Sequence, residues 1–356
     1  MSKAAELAAL IGSGQAQGNR NLIINGAMNV AQRGTSSTGV GATNAVYPTV
    51  DRYIIGAGNT AGRLTMTQEA VSDLPGFAKA IKLACTTADT SIAADEFLQL
   101  AQRFEGQDLQ KLKKGTSSAE SVTVSFYVKG NASATCTLEL QDVDNTRFND
   151  QEFSVTTSWN RVSLTFVGDT SGTLDNDNAR SFECKIWLHA GSNYTGGTHT
   201  DNVWHTTTNQ RVGDNQTSFF DSTDRTFFIT GWQMEIGDVA TPFEHEDIGT
   251  TLAKCQRYFF MPSSVDRTMF AVQGPVDAQI WWNFPFSTEM RSQPAFTVYG
   301  ADNKAESGKA RDSTNTDYET VQTANYGTET RGLILHVPGQ SNGNYEFKRV
   351  EFDAEL

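Results

Sequence analysis

Long apolar runs are missing from this chain: nowhere do about 18 consecutive apolar residues stand together, the length a membrane-spanning helix needs. Positive charge is scarce too. With 28 Lys and Arg against 41 Asp and Glu, the formal net charge is -13 and no basic run breaks the pattern. A phosphate backbone or an anionic membrane surface therefore finds no clustered cations, and neither is expected as a partner. The four cysteines, Cys85, Cys136, Cys184 and Cys255, lie far apart in sequence. That spacing excludes the close pairs of zinc and dithiol sites and points to isolated buried thiols. Charged residues make up only 19% of the chain, so its polar surface must come largely from Asn, Thr, Ser, Gln and Gly. Such a balance is common in extracellular and viral β proteins and unlike that of a helical enzyme. The opening stretch MSKAAELAALIGSG is interrupted by Glu6 and lacks a long hydrophobic core, so no export signal is expected.

What is present is mostly alternation. In VTVSFYVK the side chains of Val122, Val124, Phe126 and Val128 share one face, while Thr123, Ser125 and Lys129 take the other. TCTLEL (135–140), RVSLTFV (161–167), FECKIWL (182–188) and FFITGWQMEI (227–236) repeat the pattern, with polar loops at 168–180 and 190–218 between them. Antiparallel strands with long polar connections imply a sandwich or jelly roll. The stretch NLIINGAMN reads as a bulged or turned first strand: Leu22 and Ile24 face inward, Asn25-Gly26 supplies a positive-φ bend, and Met28 and Val30 resume the strand.

Two segments read as helix. Residues 4–11 place Leu7, Leu10 and Ile11 on one side before Gly12-Ser13-Gly14 ends the turn. Eight residues do not hold a helix alone, so this is expected to be an anchor that docks on its own copies or on a receiving surface, with 14–18 as a flexible tether. The second opens near Asp247 and runs through IGTTLAKCQRYFF, with Leu252, Cys255 and Phe259 as an apolar stripe, and stops before Pro262. Beyond it lie shorter strand candidates, TMFAVQG, AQIWWNFPF, AFTVYG, GLILHV and YEFKRVEF, with a polar stretch at 301–330 separating the third from the fourth. The predicted order is an anchor at 1–18, a β-sandwich at 19–246, a linking helix at 247–261 and a small β domain at 262–356, whose edge strands invite a partner copy.

Candidates for chemistry are few. There is no G-x-S-x-G elbow, Walker loop or H-E-x-x-H pair, and no carboxylate pair stands out for glycoside hydrolysis, so no enzyme is expected. His189, His199 and His205 are either a metal cluster or solvated loop residues. QDVDN (141–145) and LDNDN (174–178) are either calcium-binding loops or ordinary Asp/Asn turns. Period two puts Ile280, Trp282, Phe284 and Phe286 on a core face and Trp281 on the other, where it can stack on a sugar or on a neighbouring subunit. Trp204 and Tyr194, in the long polar loop, are candidate sugar platforms, with stapling of the loop as the alternative for the tryptophan. Trp159, Trp187 and Trp232 are assigned to the core.

The order NRNLIINGAMNVAQRGTS, YPTVDRY, LQLAQRFEG, VTVSFYVKG, TSWNRVSLTFVG, FFITGWQMEIGDVATPFEHEDIGTTLAKCQRYFF and the closing EFDAEL resembles a family of bacteriophage virion proteins, fibre or tail-associated and frequent in marine phages such as cyanophages. MSKAAELAALIG is similar to the start of cyanophage tail fibre proteins. The resemblance implies a jelly-roll domain similar to carbohydrate-binding modules, then a helix and a C-terminal β domain. The assembly it implies is a homotrimeric appendage that touches host surface glycans and is carried in the virion after synthesis in the host cytoplasm. A glycan-binding head or tail decoration, an adaptor and a polysaccharide depolymerase are the alternatives. It also implies a structural calcium near Asn25, Gly26 and Glu235, where the first turn meets the last strand, although no acidic ligand stands beside Asn25.

Overall fold

In a computed structural model, the structure describes residues 19–262, 269–270, 272–273, 280–299, 309–312, 318–323, 330–337, 345–347 and 349–356. By internal contacts the chain divides into two units, residues 1–247 with Leu356, and residues 248–355. The anchor residues Leu7, Leu10 and Ile11 lie outside the described residues.

The first unit is built from strands β1 (Ser36–Val40), β2 (Ala45–Val46), β3 (Ile54–Gly58), β4 (Arg63–Ala70), β5 (Lys79–Thr87), β6 (Phe97–Glu105), β7 (Val122–Gly130), β8 (Ala134–Asp142), β9 (Arg147–Val155), β10 (Asn160–Phe166), β11 (Arg180–Ala190) and β12 (Thr226–Ile236). They form two six-stranded antiparallel sheets. Sheet I has the order β1-β4-β5-β12-β7-β10, and sheet II the order β2-β3-β6-β11-β8-β9. The core lies between them. Val122, Val124, Phe126 and Val128 from sheet I meet Leu138, Leu140, Phe182, Cys184 and Ile186 from sheet II in one buried apolar cluster, as alternation demands of two faces that exclude water together.

Strand β12 departs from simple alternation. Phe227 and Ile229 point into the core and so do Trp232 and Met234, because the register against β7 shifts between Thr230 and Gln233. Gly231, at φ 62°, supplies the left-handed residue of this bulge. The phase flip buries Trp232 completely, stacked on Tyr53 with ring centroids 5.7 Å apart.

The segment NLIINGAMN is a turn, not a strand. Ile23 and Met28 are buried, whereas Leu22 and Ile24 are half-buried, with Leu22 still packed against the core. Asn25 and Met28 carry the positive φ, 61° and 60°. Gly26 serves a different need: a Cβ there would stand 2.2 Å from the Trp232 carbonyl. The Asn25 amide closes the turn, donating to Val30 O at 2.9 Å and Asp51 O at 3.1 Å and accepting from Val30 N at 3.0 Å. A side chain that bonds its own backbone offers the chain an alternative to a sheet ladder.

The second unit begins with the helix Ile248–Gln256. It is shorter than expected, and Phe259, assigned to its apolar stripe, belongs to the strand Phe259–Phe260 instead. That strand pairs with Arg349–Asp353, which also pairs with Ala295–Tyr299. Two further four-stranded sheets complete the described part. Trp282 and Phe284 are buried in its core with Leu335, Val350 and Phe352, in agreement with the period-two assignment. The stretch 301–330 is more than a polar separator, since strands Lys309–Asp312, Tyr318–Thr320 and Gln322–Thr323 fall within it.

Candidate functional site

The outer faces of the two sheets differ. On sheet II the outward residues of β11 and β8 are sealed: Glu183, Lys185, Trp187, His189, Thr137 and Glu139 are all buried. The loop at 190–218 contacts Thr137, Glu139, Trp187 and His189, while Glu183 and Lys185 pair with each other. Arg211 reaches Glu139 through both oxygens at 2.8 Å and lies over the rings of Phe148 and Trp187 at 4.0 and 5.1 Å. Gln216 donates to Trp187 O at 3.0 Å, and Thr217 N to Thr135 O at 2.8 Å. A buried carboxylate held by a two-pronged arginine is a strong tie.

Of the sequence candidates, His199 and His205 lie in this loop and His189 lies on β11 beneath it, each held by protein partners. His189 is buried, with Nδ1 2.8 Å from Ser218 Oγ and Nε2 3.1 Å from Glu96 Oε2. His199 and His205 flank the buried Asp150 carboxylate, at 2.5 and 2.8 Å. The contact with Asp150 raises the His199 pKa first, against the opposing effect of burial. Among the described residues no three His, Cys, Asp or Glu side chains stand as a metal-holding group.

The loop also accounts for two of the sequence candidates. Trp204 is half-buried against the core, its Nε1 donating to Val167 O at 2.7 Å, which fastens the loop to the end of β10. Tyr194 packs edge-on against Phe97 at 5.8 Å and tilted on Trp187 at 5.0 Å. The two therefore sit in separate clusters. Trp281 lies opposite His336 in the strand Ile280–Pro285, and its side chain is outside the described residues. Asn25 and Glu235 spend their side-chain oxygens on the protein: Asn25 as described above, Glu235 on Gln233, Thr241 N and Thr241 Oγ1 at 2.7 to 2.9 Å, while Gly26 O accepts from Trp232 N at 3.0 Å. In LDNDN, Asp177 Oδ1 accepts from Ala179 N at 2.9 Å, which is turn chemistry.

Sheet I keeps an open band of aromatic and charged groups. Because Val128, Ile229 and Leu83 point inward, their neighbours Lys129, Phe228 and Lys82 point out. Register aligns them: Ser36 opposes Thr67, Thr67 opposes Lys82, Lys82 opposes Phe228, and Phe228 opposes Lys129. Trp159, just ahead of β10, ends the row with its ring 4.8 Å below the Lys129 ammonium and 6.3 Å from Phe228. At about 4.8 Å per strand, six groups across the sheet span roughly 24 Å. Trp159, assigned to the core from sequence, is in fact half-buried on this outer face. Its indole N–H donates to Asp73 at 2.9 Å. Lys129 and then Trp159, both hydrogen-bonded to it, hold the Asp73 carboxyl below the usual carboxylate range.

Beside the row, Phe77 lies 5.3 Å from Tyr127 and 5.1 Å from Phe243, all half-buried. The face thus offers apolar ring surface next to fixed donors and acceptors: Lys82, Lys129, Asp73, Glu69, Ser36 and Thr67. Such a surface suits a ligand with apolar faces and a hydroxyl rim. Sequence reasoning missed it because Trp159 looked like the start of an ordinary strand. The one available signal was that Phe228 and Lys129 hold outward positions in neighbouring alternating runs.

No protein-family model matches the chain, and comparison with curated proteins finds no relative. Among solved structures, a CBM4 module is similar over 60% of this chain and 97% of its own, at 12% identity and a TM-score of 0.32. A family 30 carbohydrate-binding module is similar over 62% of this chain and 90% of its own, at 12% identity and a TM-score of 0.30. The enzymatically active domain of tailspike protein 4 of bacteriophage CBA120 is similar over 61% of this chain but only 21% of its own, at 11% identity and a TM-score of 0.29. All three likenesses are distant.

Proposed function

We propose that this protein is a structural subunit of a bacteriophage particle, attached through its N-terminal segment and adhering to host surface glycans through the open face of sheet I. The particle role rests on the order of sequence motifs described above. The observation that carries the adhesive role is the half-exposed pair Trp159 and Phe228, set in a row of polar and charged side chains that crosses five strands of sheet I and ends just ahead of β10. A pyranose ring stacks its C–H face on an aromatic ring and offers its hydroxyls to flanking side chains, and a row across the strands presents such partners in series. On sheet II the outer side of β8 and β11 is covered, with Arg211 paired to the buried Glu139, which favours sheet I as the face for a long ligand. In this reading the protein is a non-enzymatic, trimeric fibre subunit, and residues 1–18 are its attachment element.

Glycan-array binding followed by titration tests the adhesive role. Trp159→Ala with Phe228→Ala is expected to weaken the binding of any captured glycan by about 30-fold, the loss of roughly 2 kcal/mol typical of an aromatic anchor. Unchanged affinity in a folded double variant removes this face from the function. Light scattering that finds a monomer at micromolar concentration, or particles that still incorporate a chain lacking residues 1–18, removes the fibre reading.

A further inference from the structure

One end of the sandwich holds an arrangement that the adhesive role does not use. Lys114 follows the 3-10 helix Gly106–Leu112, and its side chain is 5% exposed. Its Nζ contacts Asp142 Oδ2, at the end of β8. It also meets Asp169 Oδ2, Ser171 O and Gly172 O, each at 2.9 Å, from the loop after β10. Asp142 is fully buried and Asp169 nearly so, at 0% and 3%. Two carboxylates and two backbone carbonyls, brought together from two separate segments, are the hard oxygen donors that calcium takes from loops. The occupant here is an ammonium on a tether, with three N–H donors for four oxygens.

The surroundings are fitted to that cation. Asp142 Oδ1 accepts from Asn145 N at 3.0 Å, and Asp169 accepts from Arg147 Nε and Nη2 at 2.6 and 3.0 Å. The Lys114 and Arg147 charges together balance the two carboxylates. The Trp204 ring lies 5.3 Å from Nζ on another side, a favourable cation–π contact. Gly115 at φ 80° and Gly172 at φ 73° let the two chains close in; a Cβ on Gly115 would stand 2.7 Å from Thr173 N.

We infer that the Lys114 ammonium performs the task of a structural divalent cation, tying the helix, β8 and the loop after β10 together without metal, and that the oxygen cage takes calcium once that ammonium is removed. The occupant is chosen by chemistry: Mg²⁺ demands a tighter octahedral shell than these fixed loops provide, while Ca²⁺ accepts irregular oxygen sets completed by water.

The test compares thermal unfolding of the full chain, Lys114→Ala and the double variant Lys114→Ala with Asp142→Asn, each in chelator and in millimolar calcium chloride. The parent protein is expected to melt at the same temperature in both. Lys114→Ala is expected to melt lower in chelator and to regain most of the loss in calcium, with a smaller gain in magnesium. The double variant, with one carboxylate neutralised, is expected to lose the calcium response. If Lys114→Ala is recovered only unfolded, refolding yield with and without calcium reads the same point. A Lys114→Ala protein as stable as the parent in chelator, one that gains nothing from calcium, or a double variant that gains as much as the single one, overturns the inference.

Discussion

Glu183 is the most exacting place to test the energetics of the sealed face. Its carboxylate, on the outer side of β11, receives Arg103 Nε at 2.7 Å, Arg180 Nη2 at 2.6 Å and Lys185 Nζ at 2.5 Å, and its side chain is only 4% exposed. Burial alone would raise its pKa, but Lys185, Arg180 and Arg103 outweigh that and hold it at about 2 instead of its ordinary 4.5. A depressed carboxyl contributes stability that is fully present above its unfolded value and is lost as pH falls toward its folded one. The difference here is worth roughly 3 kcal/mol above about pH 5, and it disappears toward about pH 2. Glu183→Gln keeps the shape and removes the charge. In a domain of this size about 2 to 4 °C accompanies each kcal/mol, so the variant is expected to melt roughly 6 to 12 °C below the parent at pH 7. The two proteins should converge as the pH of calorimetric scans is lowered toward about 2. Equal melting at pH 7, or a gap that persists undiminished at the acid end, would refute the reasoning.

Other expectations follow from single contacts. Gly26→Ala places a methyl against the Trp232 carbonyl, 2.2 Å away, and is expected to cost at least about 2 kcal/mol in urea unfolding. His199, whose pKa is raised by Asp150, stabilises the loop below about pH 6.5 and loses that effect as pH rises through its folded value. Amide exchange in residues 198–206 should therefore quicken, beyond the intrinsic rate, above neutral pH, and His199→Gln should abolish that dependence. In the glycan row, Lys129 is held by Asp73 at 2.5 Å and Lys82 lies 4.0 Å from Glu69, in a chain of net charge -13. Captured glycans are thus expected to be uncharged, and raising salt from about 0.05 to 0.5 M should change their affinity less than about twofold; preferential capture of uronic or sulfated polymers would contradict this.

How much could be read beforehand depends on the range of the interaction. The alternation in VTVSFYVK, TCTLEL and FECKIWL located β7, β8 and β11 and their inward residues, because side-chain direction along a strand is a local property. Burial of the four cysteines also followed from their isolation, and all four are free and buried; burial pushes the Cys136 thiol up to about 12, which makes it unreactive. The same local rule failed where a distant group intervened. NLIINGAMN has strand-like composition, yet Asn25 bonds Asp51 O, 26 residues away, and the segment turns. Trp159 has the apolar bulk of a core residue, but its indole is held by Asp73, 86 residues earlier in the chain.

The amino-acid pattern by itself determined that the chain builds antiparallel β layers with polar connections, since period-two alternation leaves one face of each strand to be buried. Tertiary structure alone decided which outer face is closed and which is open. That choice depends on the loop at 190–218 carrying Arg211 to a glutamate 72 residues away, and one end of the sandwich is likewise tied by Lys114 meeting aspartates on either side of β9 and β10. Charge pairing between segments so far apart leaves no periodic trace along a chain, because what it requires is proximity in space.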